Sequence, residues 1–137
     1  MSTSASTTPS APPVSLGIAL GTLERSSESP DDATTALREA VEALWTIAAQ
    51  AASTNLGGAS ARVELVQRGK RILSGIIHRG VVSGVFRPRC RVWAEQGLAH
   101  ALMAGACARW VLGLPEERSL RARIAAEAAL EALRPVR

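Results

Sequence analysis

Residues 92–112 are apolar on almost every side of a helix. Trp93, Ala104, Cys107 and Val111 form one stripe, Leu98, Leu102 and Gly105 a second, and Val92, Ala99, Met103 and Trp110 a third. A helix with that pattern has to be covered from several directions, so the rest of the chain must supply the elements that surround it. Glu95, His100 and Arg109 also lie within this stretch, where each would be costly at the centre of a bilayer. The segment therefore reads as the core helix of a protein that does not enter a membrane.

What surrounds it also reads as helix. Of the 137 residues 25 are Ala, none is Tyr, and aromatics make up 3% (Trp45, Phe86, Trp93 and Trp110). That balance favours close-packed helices over sheets, whose strands want aromatic and β-branched residues. A chain of this length can bury a core without disulfides or a structural metal.

Residues 1–15 are mostly Ser, Thr, Ala and Pro, and the composition predicts a disordered tail. Leu16, Leu20 and Leu23 have helical spacing, but Gly17 and Gly21 weaken that segment to a short helix at most. Ser29-Pro30-Asp31-Asp32 is the first strong start signal: a Ser cap, Pro at the first helical position, and acids at the positive end of the dipole. The helix it opens carries Leu37, Val41, Leu44, Trp45 and Ala48 on one stripe and stops at Asn55 and Gly57-Gly58.

A second helix starts near Ser60, with Val63, Val66, Leu73 and Ile77 beside Leu65, Ile72 and Ile76 on a wide apolar face, and Gln67, Arg71 and His78 opposite. It ends in Gly80-Val81-Val82-Ser83-Gly84-Val85-Phe86-Arg87-Pro88, where Gly84 suits a left-handed cap and Pro88 forbids helix at Arg87. The apolar helix then runs from about Cys90. Pro115-Glu116-Glu117 begins the last one, with Leu120, Ile124, Leu130 and Leu133, which Arg134-Pro135 stops. The expected fold class is all-α, a helical bundle of four main helices spanning residues 16–137.

The net charge is +4, but its distribution is uneven. Residues 62–91 hold eight basic residues and the single acid Glu64, a local +7, and the remainder carries −3. That basic segment has no interleaved aromatics, so it reads as a solvated helix face or as a source of phosphate contacts without base reading. Two cysteines, Cys90 and Cys107, are too few for a disulfide framework and fit reduced thiols. The short apolar run at residues 14–20 has no basic residue before it, unlike a secretory signal. A cytoplasmic location is expected.

Catalytic motifs are missing: there is no G-x-S-x-G, H-E-x-x-H, P-loop or G-x-G-x-x-G pattern. The chain is not expected to be an enzyme or to carry a cofactor or metal; a small enzyme using His100 is the weakest of the functional readings. His100 and Cys107 share a helix stripe, but two ligands make a poor metal site. His78 belongs with the solvated Gln67 and Arg71. His100 lies on a helix with almost no polar face, near Gln96, and needs a partner in the core, in a ligand or in a subunit interface.

The G-x-x-x-G-x-F-R turn at Gly80 to Arg87 resembles one in the C-terminal half of TetR/AcrR-type transcriptional regulators. So do the Gly- and Ala-rich helix ending in Leu112-Gly113-Leu114-Pro115, the final helix ending in Leu133-Arg134-Pro135, and the start at Ser29-Pro30-Asp31-Asp32. The resemblance covers about residues 16–137. It implies a domain that binds a small apolar or amphipathic ligand between its helices and forms a homodimer through its last two helices. Regulators of that family begin with a helix-turn-helix, which residues 1–30 do not resemble. The resemblance thus implies a ligand-sensing and dimerisation domain lacking its own DNA reader, through truncation or a mis-called start. The alternative is a helical adaptor that pairs with a full-length TetR-like regulator.

Two sets of residues follow as candidates. A ligand cavity would be lined by Trp45, Leu73, Ile77, Phe86 and Trp93, with Gln96 and His100 as polar orienters, unless the same residues only fill the core. A dimer interface would use Gly97, Leu98, Ala101, Leu102, Gly105, Leu120 and Ile124, the small residues letting a partner backbone approach. Specific DNA binding by this chain alone is not expected.

Overall fold

The computed structural model describes residues 16–28, 32–54, 58–112 and 118–134. They form five helices, α1 (Leu16–Ser27), α2 (Ala33–Thr54), α3 (Gly58–Val82), α4 (Leu98–Leu112) and α5 (Arg118–Leu133), with a π-helical turn (Trp93–Gly97) leading into α4. There is no strand among the described residues. The protein is all-α.

Helix α2 is the centre of the bundle. Leu37, Ala40, Val41, Leu44, Ala48 and Ala51 recur at three- and four-residue spacing and are all buried, and α1, α3, α4 and α5 all pack against this helix. Helix α5 answers with Ala126, Ala129, Leu130 and Leu133, so the α2–α5 contact is largely alanine and leucine. Small side chains let these axes approach closely, which is where the alanine content is used.

Helix α3 lies between α1 and α4. Its buried residues Leu65, Ile72, Leu73, Ile76 and Ile77 occupy one face. Val63 is 54% exposed, contrary to its expected place on that face, because it projects from the side of the helix opposite Leu65. Gly69 makes room for the Met103 side chain of α4: a Cβ there would stand 2.5 Å from Met103 Sδ.

Polar ties fix the helices in register. Arg68 on α3 donates to both carboxylate oxygens of Glu24 on α1, at 2.7 and 3.1 Å, and to Glu64 at 2.9 Å. Arg38 on α2 donates to Glu127 on α5 at 2.6 Å. The Arg87 amide donates to the Leu133 carbonyl at 3.0 Å, so the turn after α3 closes the last turn of α5.

Several element boundaries differ from the sequence reading. Helix α1, expected as a short helix at most, runs for 12 residues with Leu20 completely buried, and it makes five helices among the described residues beside the four main ones expected. Helix α2 starts after Asp32, whose carboxylate accepts from the Thr35 amide at 3.3 Å as a cap. The expected cap Ser29 and first-turn Pro30 lie outside the described residues, as do the tail 1–15, Asn55, Gly57, Pro115 and Pro135. Gly84 adopts φ +83°, the left-handed cap expected of it. Cys90 opens the next helical segment: its carbonyl accepts from the Ala94 amide at 3.0 Å, and its sulfur lies 3.4 Å from the Trp93 amide.

Candidate functional site

The chemistry-bearing side chains gather where α3 faces the π turn. Lys70, Ser74 and His78 are spaced by one helical turn and so share a face of α3, with Arg71 beside them. The opposite wall is Glu95 and Gln96 from the π turn and Ala99 from the first turn of α4. Between these walls runs an open cleft of about 270 Å³ lined by Lys70, Arg71, Ser74, Glu95, Gln96 and Ala99.

The π turn is what aims the second wall. The Leu98 amide bonds to the Trp93 carbonyl, a five-residue step that widens the helix locally. Such turns have poorer geometry than α-helix and are frequent at functional sites. Here the extra width goes with Trp93, whose indole Cδ1 lies 2.9 Å from where a Cβ of Gly97 would be.

At the mouth of the cleft Glu95 is held by two cationic or potentially cationic groups. Arg91 Nε donates to Glu95 Oε2 at 2.8 Å, and His78 Nδ1 lies 3.2 Å from the same oxygen. The Arg91 guanidinium holds the Glu95 carboxyl below its ordinary value of 4.5, and the His78 contact adds to the effect against partial desolvation. His78 Nδ1 is also 3.1 Å from Arg91 Nη2. A ring without a proton on Nδ1 accepts from Arg91, and a ring protonated there donates to Glu95, so the protonation of one nitrogen selects its partner.

A second open cleft, of about 230 Å³, lies between α1 and α3 and is lined by Glu24, Ser27, Glu28, Arg71, Ile72, Gly75 and Arg79. Arg79 donates to the Ser27 carbonyl there and closes the end of α1. Hydrogen bonds from Arg68, opposed in part by desolvation, hold the Glu24 carboxyl below 4.5, with the charges of Arg68, Arg71 and Arg25 contributing. Arg71 borders both clefts.

The residues expected to line a ligand cavity separate into three groups. Leu73, Ile77 and Phe86 are buried in the core. Trp45 is half-buried, its indole N–H donating to the Leu102 carbonyl at 3.2 Å and its ring covering Gly105. Trp93, Gln96 and His100 are exposed, and of these Gln96 lines the α3–π turn cleft. His100, expected to need a partner in the core, in a ligand or in a subunit interface, lies on the exposed side of α4 and not in the core.

The expected interface residues also divide. Leu98 and Leu102 are buried in the core, and the spaces beside Gly97 and Gly105 are filled by Trp93 and Trp45 of the same chain. Ala101 and Ile124 are exposed, and the Leu120 side chain lies outside the described residues. Cys90 is exposed and Cys107 partly buried, both as free thiols. No group of three or more metal-ligating side chains gathers among the described residues, and no helix among them is long and apolar enough to cross a membrane.

Arg71 was legible in the sequence on the polar face of its helix, and Lys70 as one charge of the basic segment 62–91. Their alignment with Glu95 and Gln96 was not, because it depends on the π turn. Comparison of the chain with protein-family models, with curated proteins and with solved structures finds no match.

Proposed function

We propose that this chain is a ligand-sensing and dimerisation domain of the TetR/AcrR type, a regulatory module rather than an enzyme. The observation that carries the reading is a pair of uncovered apolar stripes on the last two helices. Ala101, Ala104 and Ala108 are exposed along α4, and Ile124, Ala128 and Ala132 along α5. Each set recurs at three- or four-residue spacing, so each forms one line on its helix. Each exposed apolar line is the kind of surface that a helix of a second chain covers. The G-x-x-x-G-x-F-R turn adds support, since Phe86 is buried on Gly80 and Arg87 ties the turn to α5.

Sedimentation equilibrium of the full chain at micromolar concentration tests the proposal. A dimer is expected, and Ala104→Arg or Ala128→Arg should shift it to monomer with the helical circular dichroism unchanged. A wild-type monomer would overturn the dimerisation half of the reading. The same stripes would serve a helical adaptor that pairs with a full-length TetR-like regulator, and pairing with such a partner by a chain that is monomeric alone would favour that alternative.

A further inference from the structure

We infer that the cleft between α3 and the π turn is a binding site for a small organic anion, one carboxylate or phosphate on a slim apolar body. The inference rests on the ligand-sensing half of the proposed function and names its ligand class and place. It does not depend on dimerisation.

The argument begins with which charges are already spent. Arg68 is engaged with Glu24 and Glu64, Arg79 with the Ser27 carbonyl, and Arg91 and His78 with Glu95. Lys70 and Arg71, on the same stretch of α3, make no hydrogen bond or ion pair with the described residues, although the charge of Arg71 is felt at Glu24. Both line the cleft. The one acid in its walls, Glu95, is matched by Arg91, so the surplus charge facing the cleft is positive.

Neutral donors complete the set. Ser74 stands one helical turn beyond Lys70, and Gln96 faces α3 from the opposite wall; neither makes a side-chain hydrogen bond with the described residues. Two cations, a hydroxyl and a carboxamide on two walls can surround an anionic head from both sides, as charge-assisted hydrogen bonding requires. Ala99 closes the cleft from below, and the methylene stems of Lys70, Arg71 and Gln96 supply the apolar surface for the rest of the molecule. A volume of about 270 Å³ sits just below the range of drug-sized pockets, which limits the guest to a small molecule.

Benzoate and phenyl phosphate are suitable probes, and benzamide is the uncharged control of the same shape. Two-dimensional amide NMR of the full chain should show saturable shifts on residues 70–78 and 95–99 with benzoate, phenyl phosphate or both, and the stronger of the two identifies the head group. Benzamide should bind at least about tenfold more weakly, since it forfeits the hydrogen bonds to charged groups. Lys70→Met, Arg71→Met and Gln96→Leu should each weaken the anion, whereas Lys70→Arg should retain it. These side chains are at the surface, so unchanged circular dichroism will show that the variants fold.

Equal binding of benzamide, shifts that survive the Lys70→Met/Arg71→Met double change, or shifts reproduced by sodium chloride at the same ionic strength would each overturn the site. A monomer that still binds the anion would retire the dimer and keep the cleft. A dimer that binds none of the probes would do the reverse.

Discussion

The Phe86 ring occupies the space that a side chain at residue 80 would need, and the Phe86 amide donates to the Gly80 carbonyl at 3.0 Å. One residue pair thus joins the last turn of α3 to the turn that reverses the chain toward α4. The bond fixes the backbone, and the ring, 3% exposed, fixes the packing. With the Arg87 amide bonded to Leu133, this corner holds the ends of α3 and α5 together and sets where the π turn enters beside His78.

Gly80→Ala should therefore destabilise the fold by about 1–2 kcal/mol. The alanine gains up to about 1 kcal/mol of helix propensity, but overpacking against a buried ring costs about 1–3 kcal/mol and the ring is pinned on both sides. Gly84→Ala isolates the backbone effect, because its φ is +83° and nothing lies within 4 Å of the added Cβ; it should cost about 1 kcal/mol. Urea denaturation of both variants checks the order. A Gly80→Ala protein as stable as the parent would mean that the ring moves freely.

Trp45 and Gly105 form a second such pair. A Cβ at residue 105 would lie 2.8 Å from Trp45 Cζ2, so enlarging Gly105 strains the α2–α4 contact inside one chain before it reaches any partner. Gly105→Ala should cost about 1–3 kcal/mol by overpacking. Trp45→Phe alone loses the bond to the Leu102 carbonyl, about 1 kcal/mol, and part of the packing on Gly105. Combined, the two changes should cost less than their sum, since the smaller ring vacates the space; a double-mutant cycle in denaturant measures that coupling.

The helix periods of α2 and, Val63 apart, α3 were readable from their spacing, and so was the left-handed Gly84; in α5 the buried line runs through Ala122, Ala126 and Ala129 and leaves Ile124 exposed. Helix α1 was read too weakly, because Gly17 and Gly21 lower propensity while the burial of Leu20 against the bundle outweighs it. The π turn left no sequence mark. A segment apolar on all sides has no phase from which an extra residue could be noticed. The side of His100 was hidden for a related reason: the pattern shows that α4 is apolar all round, but not which side the single chain leaves open, and His100 lies on that side with Ala104 and Ala108. Of the candidate ligand residues only Gln96 lines the α3–π turn cleft, since its other walls come from a polar face that periodicity assigns to solvent.

Acid should loosen α1 from α3. Glu24 has a folded-state value below its ordinary 4.5 because Arg68 bonds its carboxylate. Its contribution is therefore complete above the ordinary value and is lost as pH falls through the lowered one. The pair is partly solvated, so about 1 kcal/mol is at stake. Arg68→Met should lower stability at neutral pH and flatten the acid limb of a stability–pH profile below pH 4.5. An unchanged limb in that variant would show that other carboxylates dominate it.

The chain should not bind DNA specifically. Specific reading needs an element in a groove with side chains reaching base edges, and the local +7 of residues 62–91 has a different layout. Arg68, Arg79 and Arg91 are turned to partners within the chain, while Lys70 and Arg71 face the cleft and Arg87 and Arg89 sit on the turn after α3. What remains is a dispersed set of cations that can touch phosphates. Binding to random duplex should be weak and should fall steeply with added salt as the entropy gained by releasing counterions shrinks. A titration at physiological salt with competitor DNA measures it, and a footprint on one sequence that survives the competitor would reveal a reader in this chain.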